Sequence, residues 1–348
     1  LAACLTATLL FVPIPGRKRL LPLTGVALIW ITGGFLTTVN WTQPVDASIP
    51  VTLIQPEAKI WLQQSYSAEE RDQLWNQEMA ELSTGYWQPG LLIWPERGLR
   101  ASIDYSDKRL KKLALQAEES NTALITGGNY YDAQDDSGFQ VYNSIYGLGS
   151  AEGLYLKEKL APLGERDLLG GFLGIFSEDE KRLSIKAATP QSKLIQFEYQ
   201  GDIFSIASLI CYEIAWGNYL NSYAENAQIL VNLSNDRWFY PSLQLEQTLE
   251  IAQIRALEQQ KPLLRSSFGG FSAHINYRGE IIARASDTSA QTISTSVKPR
   301  TGQTPYSNFG DLPILLIALF IWLGSLVSIK VKRSDTAKNR ATIGQAAD

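Results

Sequence analysis

Residues 204–213 have the sequence Phe204-Ser-Ile-Ala-Ser-Leu-Ile-Cys-Tyr-Glu213. Its first seven residues form a short apolar run, which predicts a buried β-strand. Such a strand delivers the Cys211 thiol into a turn, with Tyr212 and Glu213 directly behind it. In α/β folds the carboxyl ends of strands are where sites assemble. The stretch therefore indicates an α/β protein and makes Cys211 a candidate nucleophile.

Two further ionisable residues stand just past the ends of predicted strands. Glu96 follows the predicted strand 90–94 and a proline, and Lys157 follows the predicted strand 153–156. A Cys–His pair is the common way to activate a thiol, but the chain has a single histidine, His274, so we expect a different base. A carboxylate at Glu96 would take the thiol proton, and an ammonium at Lys157 would favour the thiolate and then an oxyanion. This combination predicts covalent acyl chemistry.

Each of these residues also has an ordinary structural interpretation. A lone Cys211 after an apolar strand is typical of a small buried hydrophobic residue. Glu96 after a proline is compatible with a helix N-terminus. Lys157 lies in the lysine-rich run Lys157-Glu-Lys159, where a solvated side chain is the default. Taken singly, the three residues leave both interpretations open.

On both sides of residues 204–213, strands and helices alternate along the middle of the chain. A capping box at Ser67-Ala-Glu-Glu70 predicts a helix that ends near Gly85. Residues 243–260 predict a long helix, and Arg278-Gly279 predicts a hairpin turn before a closing strand at residues 280–283. Because hairpins are mixed with strand–helix alternation, we expect an α/β sandwich with mixed sheets.

The composition excludes one class of partner. The chain has 348 residues, of which 45% are hydrophobic and 19% are charged, and its net charge is −4. An acidic balance does not favour nucleic-acid binding, so we expect no nucleic-acid partner. One cysteine in the predicted central domain also provides no disulfide framework.

The apolar residues concentrate at both ends of the chain. Leu20–Asn40 and Leu312–Ile329 contain no charged residue, and each is close to the length of about 20 residues that crosses a bilayer. Basic clusters at Arg17-Lys-Arg19 and at residues 330–333 lie on the outer sides of these spans. By the positive-inside rule both clusters are cytoplasmic, which places residues 42 to about 310 outside the cytoplasm.

These features predict four regions. Residues 1–41 form a transmembrane region with a partial span at 1–13 and a full span at 20–40. Residues 42–308 form the catalytic domain, residues 309–331 a C-terminal transmembrane helix, and residues 332–348 a cytoplasmic tail. The single methionine is Met79, and an apolar stretch precedes the first basic cluster. We therefore expect the chain to be a fragment or processed form, with further spans upstream.

The predicted domain also carries a series of short motifs in a fixed order. They are Leu91-Leu-Ile-Trp-Pro-Glu96, Tyr155-Leu-Lys157, Leu160-Ala-Pro-Leu-Gly-Glu165, Ile210-Cys-Tyr-Glu213, Val231-Asn-Leu-Ser-Asn-Asp-Arg-Trp-Phe239, Ile254-Arg-Ala-Leu-Glu258 with Arg265, and Gly270-Phe-Ser272 with Gly279. In these motifs the chain resembles the nitrilase (carbon-nitrogen hydrolase) superfamily over about residues 45–300. It is most similar to the membrane-bound branch of that superfamily, the apolipoprotein N-acyltransferases.

The resemblance implies a nitrilase-like αββα sandwich outside the cytoplasm, flanked by transmembrane helices. It also implies residue roles, with Glu96 as general base, Lys157 as the thiolate and oxyanion partner, and Cys211 as nucleophile. The implied support residues would orient Lys157 or the acceptor amine, or shape the pocket. They are Glu165, Tyr212, Glu213, Asn235 and Trp238.

The implied reaction is N-acylation, in which a fatty acyl chain passes from a phospholipid to the cysteine as a thioester. The N-terminal amine of a diacylglyceryl-cysteine lipoprotein then takes the chain. This activity implies a phospholipid donor, a lipoprotein acceptor, no cofactor and no metal, and a place in the bacterial inner membrane with the catalytic domain on the periplasmic side.

Two other functions remain open at this point. The first is a membrane-tethered amidase of the same superfamily that acts on a small molecule with water as acceptor. The second is a non-catalytic module that keeps the fold. An intact set of Glu96, Lys157 and Cys211 favours an enzyme over the second alternative.

Overall fold

The computed structural model describes residues 20–36, 38–57, 66–100, 108–132, 140–161, 186–188, 194–319 and 322. The chain divides into two compact units, of which one comprises Leu1–Asn40 with Phe309–Asp348 and the other Trp41–Asn308. The support residue Glu165 lies outside the described residues.

The described part of the first unit is helical. Helix α1, Leu20–Leu36, has 17 residues, and residues 312–319 form a helical segment. Among the described residues, no helix combines the length and apolarity that a membrane crossing requires. The predicted partial span 1–13 falls outside the described residues, as do residues 320, 321 and 323–331 of the predicted C-terminal span 309–331.

The second unit contains the strands β1 (Thr42–Pro44), β2 (Ile49–Gln55), β3 (Gly90–Ile93), β4 (Thr122–Asp132), β5 (Gln140–Gly149), β6 (Ala151–Leu156), β7 (Leu194–Tyr199), β8 (Asp202–Ile210), β9 (Ile229–Asn235), β10 (Leu263–Phe268), β11 (Ala273–Ile275), β12 (Ile281–Arg284), β13 (Gln291–Val297) and β14 (Arg300–Gly302). Twelve of them form a hydrogen-bonded ladder in the order β12-β11-β10-β9-β8-β7-β6-β5-β4-β3-β2-β13, and β1 and β14 form a separate pair. The helices that follow α1 are α2 (Ala68–Leu82), α3 (Lys108–Glu119), α4 (Gly217–Asn221), α5 (Gln244–Gln259) and α6 (Pro305–Phe309).

The ladder consists of two halves with the same pattern of strand directions. In the first half β13 is antiparallel to β2, β2 to β4 run parallel, and β5 and β6 add antiparallel. In the second half β7 is antiparallel to β8, β8 to β10 run parallel, and β11 and β12 add antiparallel. A short pairing of β6 with β7 joins the halves. The predicted mixed sheets are thus confirmed.

Successive side chains of a strand point to opposite faces of its sheet. The buried side chains of the parallel strands therefore form three separate apolar layers. Leu53 of β2 packs in the cluster that contains Ile210 and Val231 from the other half, so the two sheets face each other. The next residue, Ile54, packs outward with side chains of α2 and α3. Leu209 of β8 likewise packs outward with side chains of α4 and α5. The unit is a helix–sheet–sheet–helix sandwich, the arrangement that the family resemblance implies.

Two features of the strands go beyond the sequence analysis. β13 was not predicted, because its alternating Thr and Ser residues leave only Ile293 and Val297 buried, yet it pairs with all seven residues of β2. β4 runs through Gly127-Gly128 and continues to Asp132. The glycine at 127 serves packing, because a Cβ there would lie 2.7 Å from the Cα of Glu96.

Candidate active site

Cys211 occupies a sharp turn at the carboxyl end of β8. The strand ends at Ile210, and a 3₁₀ turn covers Cys211–Ala215. The backbone of Cys211 has a φ of 51°, in the left-handed region. For an L-residue this conformation costs roughly 1–2 kcal/mol, and such outliers cluster at active sites. The half-buried cysteine is therefore held in a strained elbow, and it is not a residue in the middle of the core.

Glu96 lies just past β3 and is 6% exposed. Its Oε1 accepts a hydrogen bond from Asn143 Nδ2 at 2.7 Å, and its Oε2 accepts one from the backbone N–H of Asn235, also at 2.7 Å. These donors, one on each oxygen, fix the orientation of the carboxylate. A carboxylate held in this way is placed to act as a general base.

Lys157 is 1% exposed, so the interpretation as a solvated lysine is wrong. Its backbone is held on both sides, because its N–H donates to the carbonyl of Asn143 at 2.8 Å and its carbonyl accepts from the N–H of Ala188 at 2.9 Å. A buried ammonium is costly unless it is paired, and the electrostatic field of Lys157 acts on the buried carboxylate of Glu213. Lys157 therefore brings a positive charge into the interior next to the elbow.

Glu213 is fully buried and accepts four hydrogen bonds. Tyr155 Oη donates to Oε2 at 2.6 Å and the N–H of Ile210 to the same oxygen at 2.9 Å. The N–H groups of Glu158 and Lys159 both donate to Oε1 at 2.9 Å. Burial raises the pKa of the Glu213 carboxyl, and the charge of Lys157 and these hydrogen bonds oppose that rise.

These contacts join the three predicted catalytic positions. Asn143 bonds Glu96 through its side chain and Lys157 through its carbonyl. Glu213 bonds the residue that precedes Cys211 and the two residues that follow Lys157. The ends of β3, β6 and β8 therefore meet at one edge of the sandwich, where a carboxylate, an ammonium and a thiol lie on connected segments.

A buried ion pair supports the same edge. Arg265 Nη2 of β10 lies 2.5 Å from Asp236 Oδ2, directly after β9. Ser234 Oγ donates to Asp236 Oδ1 at 2.6 Å, and Ser267 Oγ donates to Oδ2 at 2.8 Å. The network holds the end of β9 in place, and with it the Asn235 N–H that bonds Glu96.

The remaining predicted support residues differ in their surroundings. Asn235 is 4% exposed and contributes its backbone to Glu96. Tyr212 is 38% exposed and meets Trp216 edge to face, with 6.3 Å between the ring centroids. Trp238 is 64% exposed, and the guanidinium of Arg237 lies 4.4 Å from its ring centroid. Tyr212 and Trp238 thus offer aromatic surface to solvent.

Sequence reasoning missed two residues of this edge, Asn143 and the hydroxyl of Tyr155. Asn143 is a polar residue inside β5 that is 1% exposed, and its register opposite Lys157 depends on the pairing of β5 with β6. Tyr155 belongs to the lysine motif, but its bond to Glu213 joins residues 58 positions apart. The only available signal was a polar residue within a predicted strand.

Comparisons with known proteins agree with this architecture. The family model for carbon-nitrogen hydrolase matches residues 62–306. A solved CN-hydrolase superfamily protein from Xanthomonas campestris superposes with a TM-score of 0.52 at 14% identity, covering 72% of this chain and 91% of that chain. A carbon-nitrogen hydrolase from Helicobacter pylori gives a TM-score of 0.50 at 12% identity, covering 72% and 89%. These two structures support the fold.

Relatives in sequence carry a more specific name. The chain is similar to proteins named apolipoprotein N-acyltransferase from Coxiella burnetii, at 29% identity over 88% of this chain, and from Pseudomonas aeruginosa, at 30% identity over 92% of this chain. It spans 62% of the length of each of these relatives. Since the family model covers residues 62–306, well over half of the sequence, the chain belongs to the carbon-nitrogen hydrolase family.

Proposed function

We propose that the protein is an N-acyltransferase that moves a fatty acyl chain from a phospholipid to the N-terminal amine of a diacylglyceryl-cysteine lipoprotein, through a thioester on Cys211. The observation that carries this proposal is the left-handed elbow at Cys211, tied through Glu213 to the segment of a buried lysine. The name shared by the sequence relatives supports the choice of substrates.

In the first step Glu96 accepts the thiol proton, and the sulfur attacks the ester carbonyl of the phospholipid. The carbonyl oxygen becomes an oxyanion beside Lys157, whose fixed positive charge stabilises it. When the intermediate collapses, the carbon–oxygen bond of the ester breaks and Glu96 returns the proton to the departing alcohol. The products are a lysophospholipid and an acyl thioester on Cys211.

In the second step the α-amine of the lipoprotein attacks the thioester carbonyl. Glu96 removes a proton from the attacking nitrogen, the carbon–sulfur bond breaks, and the proton passes to the sulfur. The amide product leaves and the thiol is restored. Each role is repeated in both steps, so one base, one cation and one thiol serve the whole cycle.

The surroundings of the elbow suit lipid substrates. Tyr212 and Trp216 follow the nucleophile directly and are 38% and 49% exposed. Aromatic side chains of this kind suit a boundary between apolar chains and water. We propose that they line the entry for the acyl chain, that Asn235 and Trp238 support the site, and that Glu165 orients Lys157 or the amine.

We further propose that the catalytic domain lies on the periplasmic side of the bacterial inner membrane, held by the apolar segments on both sides of residues 42–308. Both substrates are membrane lipids, so a site at the membrane surface meets them where they reside. The charge-free stretches and the flanking basic clusters of the sequence support this placement.

A transfer assay tests the proposed reaction. The protein in detergent is incubated with phosphatidylethanolamine carrying a deuterated acyl chain and with a synthetic diacylglyceryl-cysteine peptide, and the peptide is analysed by mass spectrometry. We expect the deuterated chain on the peptide amine. Lys157→Met should lower the rate by about 100-fold or more, because the oxyanion loses its positive partner.

The matched control is Lys298→Met, which removes the charge of an exposed lysine far along the sequence and should act like the wild type. Full activity of Lys157→Met would refute the proposed triad. Hydrolysis of small amides without any transfer to the peptide would instead support the membrane-tethered amidase.

A further inference from the structure

The fully buried carboxylate of Glu213 has a complete set of hydrogen bonds. A carboxylate has about four acceptor positions, and Glu213 receives four donors. Three of them are backbone N–H groups, and the fourth is the hydroxyl of Tyr155. Because all four groups donate, this arrangement suits the ionised form of Glu213.

The four donors come from two segments that the reaction needs side by side. Tyr155, Glu158 and Lys159 flank Lys157, whereas Ile210 precedes Cys211. Glu213 therefore clamps the lysine segment to the elbow. Tyr155 is the side-chain donor among the four, so its hydroxyl is the part of this clamp that a substitution can remove cleanly.

Tyr155 is itself supported by a second tyrosine. Its hydroxyl proton is donated to Glu213 at 2.6 Å, so the oxygen is free to accept from Tyr219 Oη, which lies 3.0 Å away. Tyr219 belongs to α4, and Lys159 Nζ lies 5.4 Å from its ring centroid. The hydroxyl chain thus runs from α4 to Tyr155 and on to Glu213.

We propose that Tyr155 is a positioning residue that fixes the Glu213 carboxylate, so that Glu213 holds the segment of Lys157 against the Cys211 elbow and keeps Lys157 placed to favour the thiolate. This assignment rests on the proposed function in taking Cys211 as the nucleophile. The charged and titratable groups around the clamp are Lys157, Glu158, Lys159, Tyr219 and Tyr223.

Without the Tyr155 hydroxyl, the buried carboxylate of Glu213 loses one of its four donors, and its Oε2 keeps the bond from the Ile210 N–H. The segment of Lys157 is then held less firmly against the elbow. The positive charge of Lys157 is less well placed and favours the Cys211 thiolate less. The thiol then ionises at higher pH and reacts more slowly at neutral pH.

The test measures the thiol directly. Alkylation of Cys211 by iodoacetamide is followed against pH and quantified by peptide mapping, which separates Cys211 from Cys4. In Tyr155→Phe, which keeps the ring, we expect the midpoint to rise by roughly 0.5–1 pH unit, or about three- to tenfold less alkylation at pH 7. Tyr219→Phe should shift the midpoint in the same direction by a smaller amount.

The matched control is Tyr146→Phe. Tyr146 is 1% exposed, packs in the outer apolar layer, and donates its hydroxyl to the carbonyl of Asn129 at 3.0 Å. This variant also loses a hydrogen bond of a tyrosine, and it should leave the alkylation profile unchanged. A Tyr155→Phe profile that coincides with the wild type, or an equal shift in Tyr146→Phe, would overturn the assignment.

The outcome is independent of the acyl substrates. A shifted profile in a protein that transfers no acyl chain would refute the proposed function and keep the positioning role of Tyr155. Acyl transfer together with an unshifted Tyr155→Phe profile would support the proposed function and refute the positioning role of Tyr155.

Discussion

The backbone of Cys211 adopts a conformation that an L-residue avoids, and the site depends on it. A φ of 51° turns the chain sharply at the end of β8 and leaves the side chain half-buried at the sheet edge. The same turn brings Glu213 back to the N–H of Ile210, three residues earlier in the chain. Strain of this kind persists only when the surrounding contacts over-determine it.

This strain has a measurable consequence for stability. Cys211→Gly and Cys211→Ala both remove the thiol, but only glycine adopts a positive φ without the Cβ penalty. We expect Cys211→Gly to be more stable than Cys211→Ala by about 1 kcal/mol, measured from urea unfolding midpoints. Equal midpoints, or a more stable alanine variant, would mean that the elbow stores no strain.

At the residue scale, the sequence predicts the reactive groups better than their partners. Glu96, Lys157 and Cys211 each follow a recognisable strand, so their places at a sheet edge can be inferred from local pattern. Asn143 and Tyr155 act across distances of 47 and 58 residues along the chain. Their roles depend on strand register, which no local pattern in the sequence defines.

At the scale of elements, the ends of the parallel strands β9 and β10 are joined by a buried charge network. Arg265 is 1% exposed, and Asp236 is 2% exposed. Asp236 also donates its N–H to the carbonyl of Phe268 at 2.8 Å, so side chain and backbone both tie the two strand ends together. The strand ends carry Asn235 and hence the backbone hydrogen bond to Glu96.

Removing one member of this pair should be costly. Asp236→Ala leaves the buried guanidinium of Arg265 without its carboxylate, which typically costs about 3–5 kcal/mol. The matched control is Glu246→Ala, which breaks the exposed 3.3 Å pair with Arg284 and should cost less than about 1 kcal/mol. Urea unfolding of both variants checks the difference. Similar unfolding midpoints for the two variants would show that the buried pair contributes no more to stability than a surface pair.

Whether a strand can be predicted from the sequence depends on how completely its side chains are buried. β8 and β9 are apolar runs and could be placed from the sequence, as could the capped helix α2, whose Ser67 and Glu70 form the expected reciprocal hydrogen bonds. β13 could not, since its polar alternation resembles a loop. Its position is set by pairing with β2, and that pairing is a tertiary feature.

At the scale of the whole molecule, two similar half-ladders pack face to face and place their helices outside. The fold class could be predicted, because strand and helix signals alternate and the buried strands are strongly apolar. The joining of the halves at β6 and β7 could not, because it depends on only two paired residues in each strand.

The buried histidine gives the folded unit a pH dependence. His274 of β11 is 4% exposed, its Nδ1 lies 2.9 Å from Thr295 Oγ1, and burial lowers its pKa to about 4. Between pH 6.5 and 4 the unfolded chain binds a proton that the folded chain does not. The contribution of His274 to the free energy of unfolding is therefore fully present above pH 6.5. It falls as the pH drops to 4, by up to about 3 kcal/mol.

The comparison with His274→Gln isolates this contribution from the carboxylates, because glutamine keeps a polar group near Thr295 without titrating. Unfolding free energies measured from pH 7 to pH 4 should fall more steeply for the wild type than for the variant. Parallel curves would contradict a buried neutral histidine.

If Cys211 carries the acyl chain, intact-protein mass spectrometry can detect the thioester. The protein in detergent is mixed with phosphatidylethanolamine in the absence of an acceptor, with Cys211→Ser as the control. We predict a mass increase of one fatty acyl chain that hydroxylamine removes and that the control lacks. An unmodified wild-type protein that is folded and still transfers acyl chains to an acceptor would contradict the account.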